Sequence, residues 1–226
     1  MNRYVQTGCS AILLAVCIFM VSLAMTPKQA QAAGTVVAFG DSITAGYPYH
    51  YVGNGCTNCG GFEPTLQYYL DNWDGRGRIV YNYGVSGEYI NHGLNRIDSV
   101  MLATYPAEYV LIMEGTNDLS FYVDPGTVAY YVYALASQVV KWGATPIVAT
   151  LTPDTRYGAD WKNIGVTNSY IKSYVNSSPM MCLSDQNAAL APYWYSGYNY
   201  DGLHPNWWGY WLMGWTWYGS IYNCVR

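Results

Sequence analysis

The chain has 226 residues, a formal charge of −4 and only 11% charged side chains, against 25 Tyr and 9 Trp. An acidic chain without a basic run argues against nucleic acid as a partner. So many aromatics beside so few charges imply a partly aromatic surface, suited to sugar rings, glycan-bearing surfaces or lipid interfaces, or simply a Tyr-rich surface without a ligand.

The chain opens with the grammar of a secretory leader. Arg3 supplies a positive start, "AILLAVCIFMVSLAM" (11–25) is an uncharged apolar core, and Ala30-Gln31-Ala32 is an A-x-A site. Cleavage is expected after Ala32, leaving a single domain over 33–226. The alternative, an uncleaved anchor, fits less well, because the apolar run is short for a span of ~20 residues. No later stretch suits a membrane span. Cleavage removes Arg3 and Lys28 and no acid, so the charge moves from −4 to −6. The expected location is secreted or periplasmic.

Beyond the leader, short apolar runs alternate with helical patterns. Strands are expected at 35–40, 78–84, 109–115 and 145–151, with a fifth at 179–184. Near-continuous apolar runs of this kind suit a parallel sheet covered on both faces. Helices are expected at 62–73, 90–105, 125–143, 160–177 and 206–222. Pro125 near a helix start and Gly143 after its end follow the usual asymmetry. Pro205 is expected to open the last helix, which reads as mostly buried. The alternation predicts a three-layer α/β/α sandwich around a mostly parallel five-stranded sheet.

Four cysteines remain after the leader takes Cys9 and Cys17. In an exported chain they imply two disulfides. "CTNC" (56–59) has redox or half-zinc spacing, but it lies in a Gly/Asn-rich loop, and no second ligand pair completes a zinc site. A local staple Cys56–Cys59 and a bridge Cys182–Cys224 are expected, with no metal and no organic cofactor.

In open parallel sheets, ligands bind beyond the carboxyl ends of the strands. Asp41 and Ser42 follow the first strand, and either can cap the short helix that starts there. Gly84, Ser86 and Gly87 follow the second strand, and Gly115 to Asp118 the third. A serine hydroxyl needs a base to act as nucleophile. Of the three histidines, His204 has Asp201 three residues earlier, close enough in a loop to fix its tautomer. His50 and His92 lack such a partner and read as surface or rim residues. The Ser42 N–H, a glycine N–H and the Asn117 amide can serve as oxyanion donors.

"FGDSITAG" (39–46), "NYGVSGE", "EGTNDL" and "DGLHPNWWGY" together resemble the SGNH-hydrolase superfamily, also called GDSL esterases and lipases. The blocks follow that family's order from residue 39 to 210. The resemblance implies a flavodoxin-like fold and ester hydrolysis on a small-molecule or polysaccharide substrate, possible routes being carbohydrate deacetylation or a lipase, lysophospholipase or thioesterase activity. It implies Ser42 as nucleophile, His204 as base and Asp201 as its orienting acid. It further implies an oxyanion hole of Ser42, Gly87 and Asn117, with Gly84 the alternative glycine and Asp41 and Asp118 in support. No G-x-S-x-G elbow is present, which argues against an α/β-hydrolase. One departure from the family pattern is "YPYHYVGNGCTNCGG" (47–61), an aromatic insertion expected at the rim of the cleft. Rival readings are a glycan-binding module without turnover and a redox protein using Cys56 and Cys59. Oligomeric state leaves no signal in the sequence.

Overall fold

A computed structural model describes residues 34–156 and 161–224. The expected leader, residues 1–32, and its cleavage site lie outside the described residues. Five strands form one sheet: β1 (Thr35–Gly40), β2 (Ile79–Gly84), β3 (Ala107–Met113), β4 (Thr145–Ala149) and β5 (Cys182–Ser184). Every pairing is parallel, and the spatial order is β2-β1-β3-β4-β5. Side chains alternate across a strand, and both faces of β1 are covered. Val37 and Phe39 join one core, while Val36 and Ala38 join the other.

Eight helices among the described residues surround this sheet. On the Val37 face lie α3 (Ile90–Ala103), α5 (Pro125–Lys141) and α6 (Trp161–Asn176). On the Val36 face lie α2 (Glu63–Tyr69), α7 (Gln186–Tyr193) and α8 (Trp207–Cys224). The short α1 (Ser42–Ala45) and α4 (Thr116–Ser120) follow β1 and β3 directly. The expected three-layer sandwich and five-stranded sheet are therefore present. The chain places β2 on one side of β1 and then β3 on the other. That reversal opens a crevice at the carboxyl ends of β1 and β3, the switch point of a doubly wound sheet.

Local chemistry accounts for several helix ends. Asp124 caps α5, accepting the Thr127 N–H at 2.9 Å, and Pro125 occupies the first turn, where its missing N–H costs nothing. Gly143 follows the helix with φ +81°. Three expectations are corrected. Pro205 does not open α8; it bridges Asn199, and Asn206 caps the helix through the N–H groups of Trp208 and Gly209. The last helix is not mostly buried: Tyr210, Met213, Trp217 and Ile221 face the core, while Trp207, Trp208, Trp211, Trp215 and Tyr222 face outward. The helix expected over 62–73 is α-helical only to Tyr69 and continues as a π turn, Leu70–Asp74. In addition, α7 was not expected, β5 is shorter than its predicted run, and β3 starts and ends two residues early.

Both expected disulfides are formed, Cys56–Cys59 and Cys182–Cys224. The second ties the edge strand β5 to the end of α8 across 42 residues of sequence. A loop of that size restricts the unfolded chain enough to stabilise the fold by about 2–4 kcal/mol. Replacing both Cys182 and Cys224 by Ser is expected to lower unfolding free energy by that order in urea titration. An unchanged midpoint would show that the bridge carries no stability.

Candidate active site

Asp41 and Ser42 stand where β1 ends. Asp41 is the N-cap of α1: its Oδ1 accepts the Ile43 N–H at 2.9 Å. Ser42 is the first helical residue and does not cap, so of the two candidates Asp41 takes that role. This frees the Ser42 hydroxyl to point into the crevice, where its Oγ lies 2.9 Å from His204 Nε2.

His204 comes from the loop that leads into α8, 162 residues away in sequence. The loop is braced at several points. Tyr200 N–H donates to the His204 carbonyl at 2.8 Å, and Thr155 N–H to the Gly202 carbonyl at 2.7 Å. Asp201 Oδ1 accepts the N–H groups of Leu203 and His204, at 3.0 and 2.9 Å, and its Oδ2 lies 2.8 Å from His204 Nδ1. Partial burial works to raise the Asp201 pKa, but the His204 backbone and ring and the Leu203 N–H outweigh it and hold the carboxyl below its ordinary value. An ionised Asp201 accepts a hydrogen bond from Nδ1–H and so fixes the proton there, which leaves Nε2 as the acceptor for the Ser42 hydroxyl. The Tyr47 ring packs on the imidazole with centroids 4.4 Å apart, so the insertion does supply the rim.

The oxyanion candidates differ in what their N–H groups already do. Gly84 donates its N–H to Asn82 Oδ1 at 2.8 Å and is buried against α1. Gly87 is exposed at a turn with φ +78°, a conformation that glycine adopts without strain. Asn117 Nδ2 donates one hydrogen to the Glu88 carbonyl at 2.8 Å, which ties it to the residue beside Gly87 and leaves its second hydrogen. Asp118 accepts the Ile90 N–H at 3.1 Å and so caps α3 from the neighbouring α4. Burial raises its pKa.

The sequence reading missed a buried charge cluster behind the serine. Arg96 on α3 donates Nε to Glu88 Oε1 at 2.6 Å and Nη2 to the Tyr83 carbonyl at 2.8 Å. Its guanidinium lies 3.8 Å from the centroid of the Phe39 ring. Glu114 is fully buried beside Glu88, and no amide, hydroxyl or basic group among the described residues donates to its oxygens. Burial first, then the charges of Asp41 and Glu88, push its pKa well above the ordinary range. Burial likewise pushes Asp41 up to about 7. The available signal was Glu114 itself, a lone acid closing the apolar run "YVLIMEG".

The two other histidines sit as expected. His92 is exposed on α3, and His50 lies on the insertion with Nε2 3.6 Å from Cys56 Sγ. His50, Cys56 and Cys59 cluster closely, but the two sulfurs are bonded to each other and offer no thiolate.

The profile of the GDSL-like Lipase/Acylhydrolase family matches residues 38–212. The chain belongs to that family. This GDSL-like hydrolase is 25% identical over 185 residues to the thioesterase 1/protease 1/lysophospholipase L1 of Escherichia coli, covering 81% of each chain. Its fold is shared with an acetylxylan esterase from Geobacillus stearothermophilus, at TM-score 0.70, 16% identity, and 84% and 96% coverage of the two chains. A lipase/acylhydrolase from Enterococcus faecalis matches at TM-score 0.68, 21% identity, and 85% and 97% coverage. The chain is thus an ester-bond hydrolase of the GDSL type.

Asp41 gives a pH signature. Its carboxyl keeps its proton to about pH 7 when folded, against an ordinary value of 3.8. The stability carried by the protonated form is complete below about pH 4 and is lost as pH rises through 7. Asp41→Asn retains the cap and cannot ionise. The stability of the unaltered chain relative to this variant is expected to fall between about pH 4 and 7, by at most a few kcal/mol. A difference independent of pH in urea titrations would show the carboxyl already ionised.

Proposed function

We propose that this hydrolase is exported and removes short acyl groups, acetyl foremost, from carbohydrate through a serine acyl-enzyme. The observation that carries the chemistry is the relay of Ser42, His204 and Asp201, with both hydrogen bonds under 3 Å. Ser42 Oγ attacks the ester carbonyl carbon while its proton passes to His204 Nε2. Asp201 stabilises the imidazolium that results. The carbonyl oxygen becomes an oxyanion, met by the N–H groups of Ser42 and Gly87 and by the Asn117 side chain. Collapse breaks the bond to the alcohol, which leaves with the proton from His204. Water then attacks the acyl-enzyme and gives a proton to His204. The acid departs, and Ser42 recovers its hydrogen.

Export is supported by the leader pattern and by two disulfides, which persist in oxidising compartments. Among the described residues, no helix is long and apolar enough to cross a membrane. The carbohydrate preference is supported by the aromatic rim of Tyr47, Tyr51 and Tyr200 around the imidazole. It is supported too by the acetylxylan esterase among the structures that share the fold. The Escherichia coli relative, named for thioesterase and lysophospholipase activity, favours a second reading with longer acyl chains. A panel of sugar acetates and long-chain lipid esters separates the two.

Ser42→Ala is expected to lower p-nitrophenyl acetate turnover by about 10³-fold or more, and His204→Ala by a similar factor. The double variant should lose little beyond either single change, because the two groups act as a unit. A Ser42→Ala protein with normal turnover, or an unaltered chain that a fluorophosphonate leaves unlabelled at Ser42, would overturn the assignment and favour a binding module.

A further inference from the structure

We infer that the outward face of α8, with the cavity at its N-terminal end, binds a neutral polysaccharide chain beside the ester-cleaving centre. The idea rests on the carbohydrate-ester reading only in taking the bound chain to be the substrate as well.

The cavity has a volume of about 360 Å³ and is lined by Tyr49, Asn58, Gly61, Thr65, Trp207 and Trp211 among others. Its size and its aromatic walls with few polar groups suit a small ring-shaped ligand. It adjoins the candidate centre, since Trp207 lies three residues after His204. The Trp207 N–H donates to the Tyr49 hydroxyl at 3.1 Å, and their rings meet edge-on at 6.4 Å. The insertion that packs on the base therefore also builds this cavity.

From there a line of indoles follows the helix. Trp207, Trp211 and Trp215 are 63%, 42% and 42% exposed. Residues four apart share one helix face and rise about 6 Å per step. The line thus extends about 12 Å, the scale of a short run of linked sugar rings. At its far end, Trp215 joins Tyr69, Trp73 and Tyr218, with centroids 5.0 to 6.0 Å apart. A ring face is electron-rich and its N–H or O–H is a polar handle. The C–H faces of a pyranose match the first, and its hydroxyls match the second.

Charge selects the occupant. No Lys, Arg, Asp or Glu occurs from Trp207 to Cys224. Beside its far end the charges are paired: Asp74 meets Arg78 at 2.9 Å and Arg76 at 3.9 Å. A helix that docks on anionic lipid carries Lys or Arg beside its apolar face. This helix carries none, and the neighbouring cations are already matched by Asp74 and Glu108. An uncharged chain of sugars needs no such charge.

The test is native affinity electrophoresis of the full chain through gels containing unacetylated xylan. Both the unaltered protein and Ser42→Ala are expected to be retarded, because binding needs no turnover. In the Ser42→Ala background, Trp211→Ala with Trp215→Ala should weaken retardation by about tenfold. Trp211→Tyr with Trp215→Tyr should restore most of it, and circular dichroism verifies folding of each variant. If the alanine variant fails to fold, alanine at the exposed Trp207 takes its place.

Absence of retardation in the unaltered protein, or retardation indifferent to these tryptophans, overturns the inference. So does binding to phosphatidylcholine vesicles in preference to xylan. Tryptophan-dependent dimerisation without xylan binding overturns it as well, since a second copy would then be the occupant. None of these readouts involves ester cleavage. A failed binding experiment leaves the Ser42 assignment untouched, and a failed Ser42 assignment leaves binding untouched.

Discussion

Arg96 is the interaction on which the crevice depends. Parallel strands bring their carboxyl ends together, and here three acids converge at that edge: Asp41 after β1, Glu88 after β2 and Glu114 at the end of β3. All three are buried, and ionised together they would repel one another in a medium that screens poorly. One guanidinium relieves this. It pairs with Glu88 through two nitrogens and bonds the carbonyls of Gly40 and Tyr83. It thereby joins the ends of β1 and β2 to the turn carrying Gly87. Burial favours the protonated form of the remaining acids, Glu114 well above its ordinary range and Asp41 up to about pH 7. The strand ends that lead to Ser42, Gly87 and Asn117 meet at this compromise between charge and burial.

The 47–61 insertion performs the matching task for the imidazole. Its aromatic side chains reach across to the other end of the sequence. Tyr47 covers the His204 ring, its carbonyl accepts the Tyr210 hydroxyl at 2.7 Å, and the Tyr49 hydroxyl accepts the Trp207 N–H. Each contact joins the segment after β1 to the loop or helix around His204. The insertion itself is pinned to β2, where Asn82 Nδ2 donates to the Cys59 carbonyl at 3.2 Å as well as to the Thr44 carbonyl of α1 at 3.0 Å. The 47–61 segment thus braces the candidate site from the other end of the sequence.

How far the sequence could be read follows from the range of each interaction. The strands were legible because parallel strands buried on both faces leave unbroken apolar runs, as in "TVVAFG". Asp201 and His204 were legible because their contact is local. Their meeting with Ser42 was legible only through resemblance, since nothing in periodicity joins residues 162 positions apart. The choice of Gly87 over Gly84 turns on the Asn82 side chain consuming one N–H, a tertiary fact. The α7 helix escaped notice because it is short and carries Pro192. The error over α8 has a plain cause. Tryptophan counts as apolar in composition, yet its N–H and broad ring serve equally well at a surface. The Arg96 cluster left only the trace of Glu114, because a salt bridge between a turn and a helix has no sequence period.

The distance along the chain between Ser42 and His204 has a temporal side. A polypeptide emerges from its N-terminal end, so the hydroxyl exists in a growing chain long before the imidazole has been synthesised. Between them lie all the strands after β1, and the intervening sheet must close before the two loops can meet. On the proposed relay, a half-finished chain carries a serine without its base, and hydrolytic competence belongs to the completed fold rather than to any fragment of it.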